Sequence, residues 1–179
     1  VGPATNSVEG AEEPQKDPRI IQLRETVQRV MTYLETIDTQ SLATTNVAQL
    51  KSITGKQISY PQVSRRAVGR HWRQLSKDQQ KRFMDLFPKL VIINYASRYQ
   101  QVNNTKIEWT KLRKLTEGKI QISSTVEIND SSFGVHYRLL NQEDEWLVYD
   151  VIIEGVSLVK NYREQFTSLL QGNSPEELL

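Results

Sequence analysis

Apolar residues along this chain follow two different periods. From Ile20 they recur every three or four positions, at Leu23, Val27, Val30, Met31 and Leu34. That spacing predicts a helix with one apolar face running to Thr36. Asp17-Pro18 supplies its start, an N-cap followed by proline in the first turn, where the missing N–H is not needed. Residues 38–57 are polar and mixed, and predict a loop plus a short helix near Val47–Ile53, closed by Gly55. Tyr60-Pro61 opens another short helix reaching about Val68. Ser76 then caps a long helix with Asp78 in its first turn. Its apolar positions are Phe83, Leu86, Phe87, Leu90, Val91, Ile93 and Tyr95. Pro88 removes one backbone donor and predicts a kink near Met84–Asp85.

Between residues 105 and 153 the period changes to two. Ile120, Ile122, Val126 and Ile128 share one strand face. Phe133, Val135, Tyr137 and Leu139 share another, with His136 and Arg138 opposite. Asn129–Ser132 and Asn141–Glu145 are turn chemistry. With Ile107–Leu115 and Trp146–Ile153, four strands follow one another through short connections, which predicts an antiparallel meander. The last strand halts at Glu154-Gly155, where glycine permits a sharp turn. Ser157 stands where an N-cap belongs, and a final helix from Val156 to about Leu170 presents Val156, Val159, Tyr162, Phe166, Leu169 and Leu170 on one side. Helices, then a meander, then a helix predict an α+β fold: helices packed on one face of a curved, mainly antiparallel four-stranded sheet. Such a sheet can enclose an apolar cavity, although a filled core and a ligand-filled core look alike in sequence.

At 179 residues one domain is the natural expectation. Residues 1–17, which hold Pro with Gly, Ser, Asn and Glu, read as a disordered leader, leaving 18–179 as a single domain. The chain begins Val1-Gly2-Pro3 without a signal peptide, as expected of a cytosolic protein or one whose signal has been removed. No run of about eighteen apolar residues exists, so no segment reads as a transmembrane helix. The chain has no cysteine, which excludes disulfides, thiol nucleophiles and thiolate metal sites. A net charge of +2 is too small to argue for nucleic acid. The two histidines, His71 and His136, lack metal-ligand spacing, so no metal site is expected. No nucleophile or third partner stands near His136, so no catalytic residue is assigned.

Two features remain open to more than one reading. Asp150 interrupts an apolar strand, and a buried carboxylate needs partners. It is either an acid or base at the bottom of a cavity, or a structural group accepting hydrogen bonds from the turn or pairing with Arg163 or Arg70. The basic stretch Arg65, Arg66, Arg70, Arg73, Lys77, Lys81 and Arg82, with Trp72 among them, is a solvated helix face, a rim meeting anionic headgroups or an acidic partner, or a nucleic-acid patch.

Two separated blocks carry a family resemblance. Trp146 to Arg163 reads W-x-V-Y-D-V-x-I-E-G-V-S-L-x-x-N-Y-R. Upstream, Ile58-Ser59-Tyr60 and Ala67-Val68-Gly69-Arg70-His71-Trp72-Arg73 are followed by Ser76, Gln79, Phe83, Phe87, Leu90 and Tyr95-Ala96 at helical spacing. Together they resemble the toluene-tolerance (MlaC-like) family of periplasmic phospholipid-binding proteins, over roughly residues 18–172. Residues 38–57 match poorly, and Pro88 departs from the pattern. The resemblance implies a monomeric periplasmic carrier without enzymatic activity or cofactor, whose ligand is a glycerophospholipid. It implies partners on both membranes: an inner-membrane ABC transporter with a ring-forming substrate-binding component, and an outer-membrane lipoprotein–porin complex. Pocket residues expected from the motif matches are Phe87, Leu90, Tyr95, Tyr137, Val151, Ile153 and Val156. Face assignment adds Val91, Phe133, Val135 and Val159. Two rivals come from other classes: a small cone-shaped α+β enzyme using Asp150 as base, and an interaction module with a filled core.

Overall fold

The structure, a computed structural model, describes residues 14–98, 104–172 and 175–179. Most of the expected leader lies outside these residues. Its last part is ordered: Pro14–Lys16 form a single 3-10 turn packed near α1 and β1.

Among the described residues five α-helices pack with one sheet. Helix α1 spans Pro18–Glu35, α2 Thr44–Gly55, α3 Tyr60–Val68, α4 Lys77–Ala96 and α5 Leu158–Gly172. Local chemistry sets most of their starts. The Asp17 carboxylate accepts the Arg19 backbone N–H at 2.9 Å and also holds the Arg19 guanidinium at 3.0 Å. Ser59 caps α3 through the Gln62 N–H. Ser76 and Gln79 cap α4 reciprocally, the Ser76 hydroxyl accepting from Gln79 N and the Gln79 side chain accepting from Ser76 N. Helix α4 runs unbroken through Pro88, which is buried. Helix α2 is longer than the Val47–Ile53 expected. Only Val47 and Leu50 bury a face, and Asn46 ties its first turn down, accepting from Ala43 N and donating to the Tyr33 hydroxyl. That anchor is tertiary, so a periodicity window does not contain it.

The sheet is an antiparallel meander in the order β1-β2-β3-β4-β5. Its strands are β1 Thr105–Thr116, β2 Lys119–Ile128, β3 Ser131–Gln142, β4 Glu145–Ile153 and β5 Val156–Ser157. The fifth strand corrects the expected four. Glu154 and Gly155 both take positive φ, 51° and 81°, so the chain doubles back in two residues and pairs Ile153 with Val156. Helix α5 consequently begins at Leu158, and Val156 belongs to a strand. A second segment guards the same side of β4: Val148 N donates to Gln57 O and accepts, through its carbonyl, from Ser59 N.

Register places one row of side chains after another on a common face. Trp109, Ser124, Val135 and Ile153 are aligned across the strands, as are Leu112, Ile122, Tyr137 and Val151. On β4 this alignment depends on a bulge. Arg138 pairs with Asp150 and Leu139 with Val148, leaving Tyr149 as the extra residue. The extra residue resets the alternation, so Val148 and Val151 both face inward although three positions apart.

Helix α1 crosses this inner face. Its Ile20 and Leu23 are buried against Trp109, Ile120, Ile122, Leu139 and Val148. A second core joins α3, α4 and α5 and is strongly aromatic: Phe83 stacks on Phe87, and Phe166 and Tyr162 meet Phe87 edge-on. A third core gathers Leu34, Val47, Leu50, Ile92 and Ala96 from α1, α2 and α4. Between the first and third of these the packing is incomplete.

Candidate functional site

The incomplete packing forms two adjoining cavities of about 170 and 240 Å³. The first lies between the C-terminal half of α1 and the sheet, lined by Val27, Val30, Met31 and Leu34 on one side. Ile107, Val126, Ile128, Phe133, Val135, Tyr137, Val151 and Ile153 line it on the other. The second lies between the end of β4 and helices α2, α3 and α4, lined by Leu50, Ile58, Tyr60, Val91, Ile92, Tyr95 and Ala96 among others. Val30, Leu34, Val151 and Ile153 line both, so the two spaces are contiguous. Taken together they reach the range of small-molecule sites, about 300–1,000 Å³.

Much of the lining is only half-buried although it lies deep between layers: Val30, Met31, Phe133, Tyr137, Val151, Ile153, Val91 and Tyr95 all belong to this class. Side chains facing a void keep accessible area that a filled core would remove. The polar groups in the walls are few. The Tyr60 hydroxyl hydrogen-bonds Thr54. Burial pushes the Tyr60 phenol above its ordinary value, against a smaller opposing effect of that hydrogen bond, so it stays neutral. The cavity therefore offers apolar surface and no charge of its own.

Positions anticipated from sequence divide into three groups. Phe133, Val135, Tyr137, Val91 and Tyr95 line one cavity each, and Val151 and Ile153 line both. Phe87 and Val159 line neither. They are 2 % and 3 % exposed inside the aromatic core between α4 and α5. Leu90 and Val156 are corrected outward, at 43 % and 56 % exposed. Leu90 points away because α4 already turns Phe87, Val91 and Ile92 inward on the opposite side. Val156 shares a row with Ile153, but the two-residue turn carries it to the sheet edge. The α1 wall was not assigned from sequence to the cavity. Its signal was present: the apolar face of α1 continues through Leu34, well past Leu23.

Asp150 resolves as a structural group. Its carboxylate accepts Val151 N at 2.8 Å, Val159 N at 3.1 Å and the Ser157 hydroxyl at 2.5 Å. Ser157 also accepts Lys160 N at 3.1 Å. The pair satisfies the first N–H groups of α5, where a negative charge is favoured by the helix dipole. The turn, and no arginine, supplies its partners; Arg163 instead donates to the Arg66 carbonyl.

On the outer sheet face His136 Nδ1 lies 2.8 Å from the Ser123 hydroxyl, and Arg138 donates to Gln121. Within the basic stretch, Arg66 lies over the Tyr149 ring at 4.6 Å. Burial raises the Tyr149 phenol, while Arg138 and Arg66 oppose the rise. Arg65, Arg70, Arg73, Lys77, Lys81 and Arg82 are exposed, as a solvated face would be. Among the described residues no cluster of His, Asp and Glu could hold a metal ion, and no helix is long and apolar enough to cross a membrane.

Comparison with known proteins agrees with this geometry. A phospholipid-binding protein from Ralstonia solanacearum, solved in complex with a phospholipid, superposes with a TM-score of 0.76 over 85% of this chain and 87% of that one, at 24% identity. The toluene tolerance protein ttg2D of Pseudomonas putida is 26% identical over 102 residues, 56% of this chain and 47% of the relative. The intermembrane phospholipid transport system binding protein MlaC of Haemophilus influenzae is 21% identical over 119 residues, 64% of this chain and 56% of the relative. The matched segments thus span about half the length of these two relatives. The family model described as MlaC protein matches residues 24–179, from the middle of α1 to the end of the chain, and the chain belongs to the MlaC protein family.

Proposed function

We propose that this protein is a carrier that holds a glycerophospholipid by its acyl chains in the paired cavity and performs no covalent chemistry. The observation that carries the reading is the contiguous apolar space between α1, α2, α4 and the inner sheet face, bounded by half-buried apolar side chains. The phospholipid in the similar Ralstonia fold and the transport role in the Haemophilus relative's name support it. The three hydrogen bonds at Asp150 argue against the enzyme rival, because that carboxylate is committed to the α5 turn.

Magnitudes define what such a carrier can do. Each methylene removed from water contributes about 0.8 kcal/mol. Two long chains are worth on the order of 20 kcal/mol, near the ceiling of non-covalent affinity. A loaded carrier would therefore hardly release lipid into water. Exchange with a bilayer is close to balanced, since the chains are already out of water there. Direction then belongs to docking partners. In this reading the protein works in the periplasm, as a monomer, between an inner-membrane ABC transporter with a ring-forming substrate-binding component and an outer-membrane lipoprotein–porin complex.

Organic extraction of gently purified protein tests the reading. It should release phospholipid near one molecule per chain, with mixed chain lengths, because an apolar cavity distinguishes one methylene only weakly. Consistent absence of lipid would sink it.

A further inference from the structure

A third cavity adjoins the apolar pair, and its chemistry is different. It is a cleft of about 360 Å³ along the seam between α1 and β1. Val27, Met31, Thr105 and Ile107 line both this cleft and the acyl cavity, so these two spaces are contiguous as well. Arg24, Gln28 and Thr32 also line it. They stand at successive helical turns, so they form one polar line beside the apolar face of α1. The neighbouring groove between α1 and α2, lined by Arg29 and Tyr33, shares no lining residue with either apolar cavity, which singles out the β1 side.

Arg24 is the cation of the cleft. It is half-buried and takes part in none of the ion pairs found among the described residues. Glu35 is the one carboxylate in the lining, and it lies eleven residues further along α1, about 16 Å away at the helical rise. The Arg24 end therefore keeps an uncompensated positive charge next to an apolar space. A guanidinium offers five donors in a planar fork that matches two oxygens of a phosphate.

Building on the carrier reading, we propose that this cleft is the headgroup subsite, where Arg24 binds the phosphodiester oxygens while the acyl chains occupy the adjoining cavity. Gln28, one turn on, can donate its amide to the same oxygens or to a polar headgroup substituent. The contact would fix which end of the lipid faces out, and would favour phosphate-bearing lipids over neutral ones with the same tails.

The test compares two probes in the full chain: phosphatidylglycerol and diacylglycerol with identical, fluorescently labelled chains, each partitioned between protein and phosphatidylcholine vesicles. Wild type should prefer the phospholipid, and Arg24→Gln should lower that preference about tenfold, the effect of one partly screened charge-assisted contact. Diacylglycerol uptake should be unchanged, and Arg24→Lys should recover most of the loss. An unchanged preference in Arg24→Gln, or an equal loss of both probes with the circular dichroism spectrum intact, would overturn the headgroup subsite while leaving the acyl cavity standing. Wild-type protein that takes up neither probe would overturn the carrier reading and this subsite with it. Inorganic phosphate alone forms the last arm. Arg24-dependent chemical-shift changes at millimolar phosphate without lipid would identify a free-anion site and overturn the headgroup assignment. No such change is expected.

Discussion

Replacing Asp150 with asparagine separates a structural carboxylate from a catalytic one. In the wild type Oδ1 accepts Val151 N and Val159 N, and Oδ2 accepts the Ser157 hydroxyl. Asparagine keeps one acceptor oxygen, which can retain both backbone donors. Its amide nitrogen then faces Ser157, whose oxygen already accepts Lys160 N. That hydroxyl can accept a second bond, but its own proton loses its partner. The change removes one charge-assisted bond and the negative charge at the start of α5. Together these cost about 1–3 kcal/mol. For a chain of this size each kcal/mol lowers the midpoint by about 2–4 °C. Urea titration followed by circular dichroism should show a lower midpoint with an unchanged slope, since the exposed area does not change. Co-purified lipid should persist in the folded fraction. Asp150→Ala should cost more, because three donors lose their acceptor. Wild-type midpoints in both variants would refute the structural account.

Four further outcomes follow from the placement of individual side chains. Ile153→Glu puts a carboxylate in the wall shared by both cavities; it should leave a folded protein with at least about tenfold less bound phospholipid, because an unpaired charge against acyl chains is strongly unfavourable, and full lipid occupancy in the extract would contradict the cavity assignment. Phe87→Ala removes the centre of the aromatic core and should cost about 3–5 kcal/mol in denaturant titration while any folded protein keeps its lipid. Val156→Glu, at an exposed edge position, should change stability by less than about 0.5 kcal/mol and leave lipid bound; loss of lipid would return Val156 to the pocket. The Arg19 hydrogen bonds hold the Asp17 carboxyl below the usual carboxylate range. Its contribution is present above the unfolded value, about 3.9, and is lost as pH falls through the lower folded value. Asp17→Asn should therefore flatten the acid limb of the stability curve, and a limb unchanged from wild type would refute the assignment.

Much of this fold was legible because its signals are local. Asp17 and Ser76 act within three residues of themselves and Tyr60-Pro61 opens α3, so the starts of α1, α3 and α4 could be read directly. Glu154-Gly155 marked a turn correctly. What sequence could not reveal was that the turn is tight enough to make β5, which moved Val156 from the expected pocket to the edge. The bulge at Tyr149 has no local marker either, and without it the alternation along β4 does not show which side carries the cavity. Phe87 and Val159 show a different limit. An aromatic core and a lined void use the same residue types, and only tertiary geometry distinguishes them. Asp150 was legible as a carboxylate needing partners, and its partners proved to be the nearby turn. The α1 wall was visible as a long apolar face, but nothing in the pattern said that its second half faces a space.

Native mass spectrometry of wild-type protein beside Ile153→Glu tests the central claim most directly. The account predicts a single added mass of phospholipid size on the wild-type chain, heterogeneous by chain length, and a bare chain for the variant. A bare wild-type chain after gentle purification, or the same added mass on both, would contradict it.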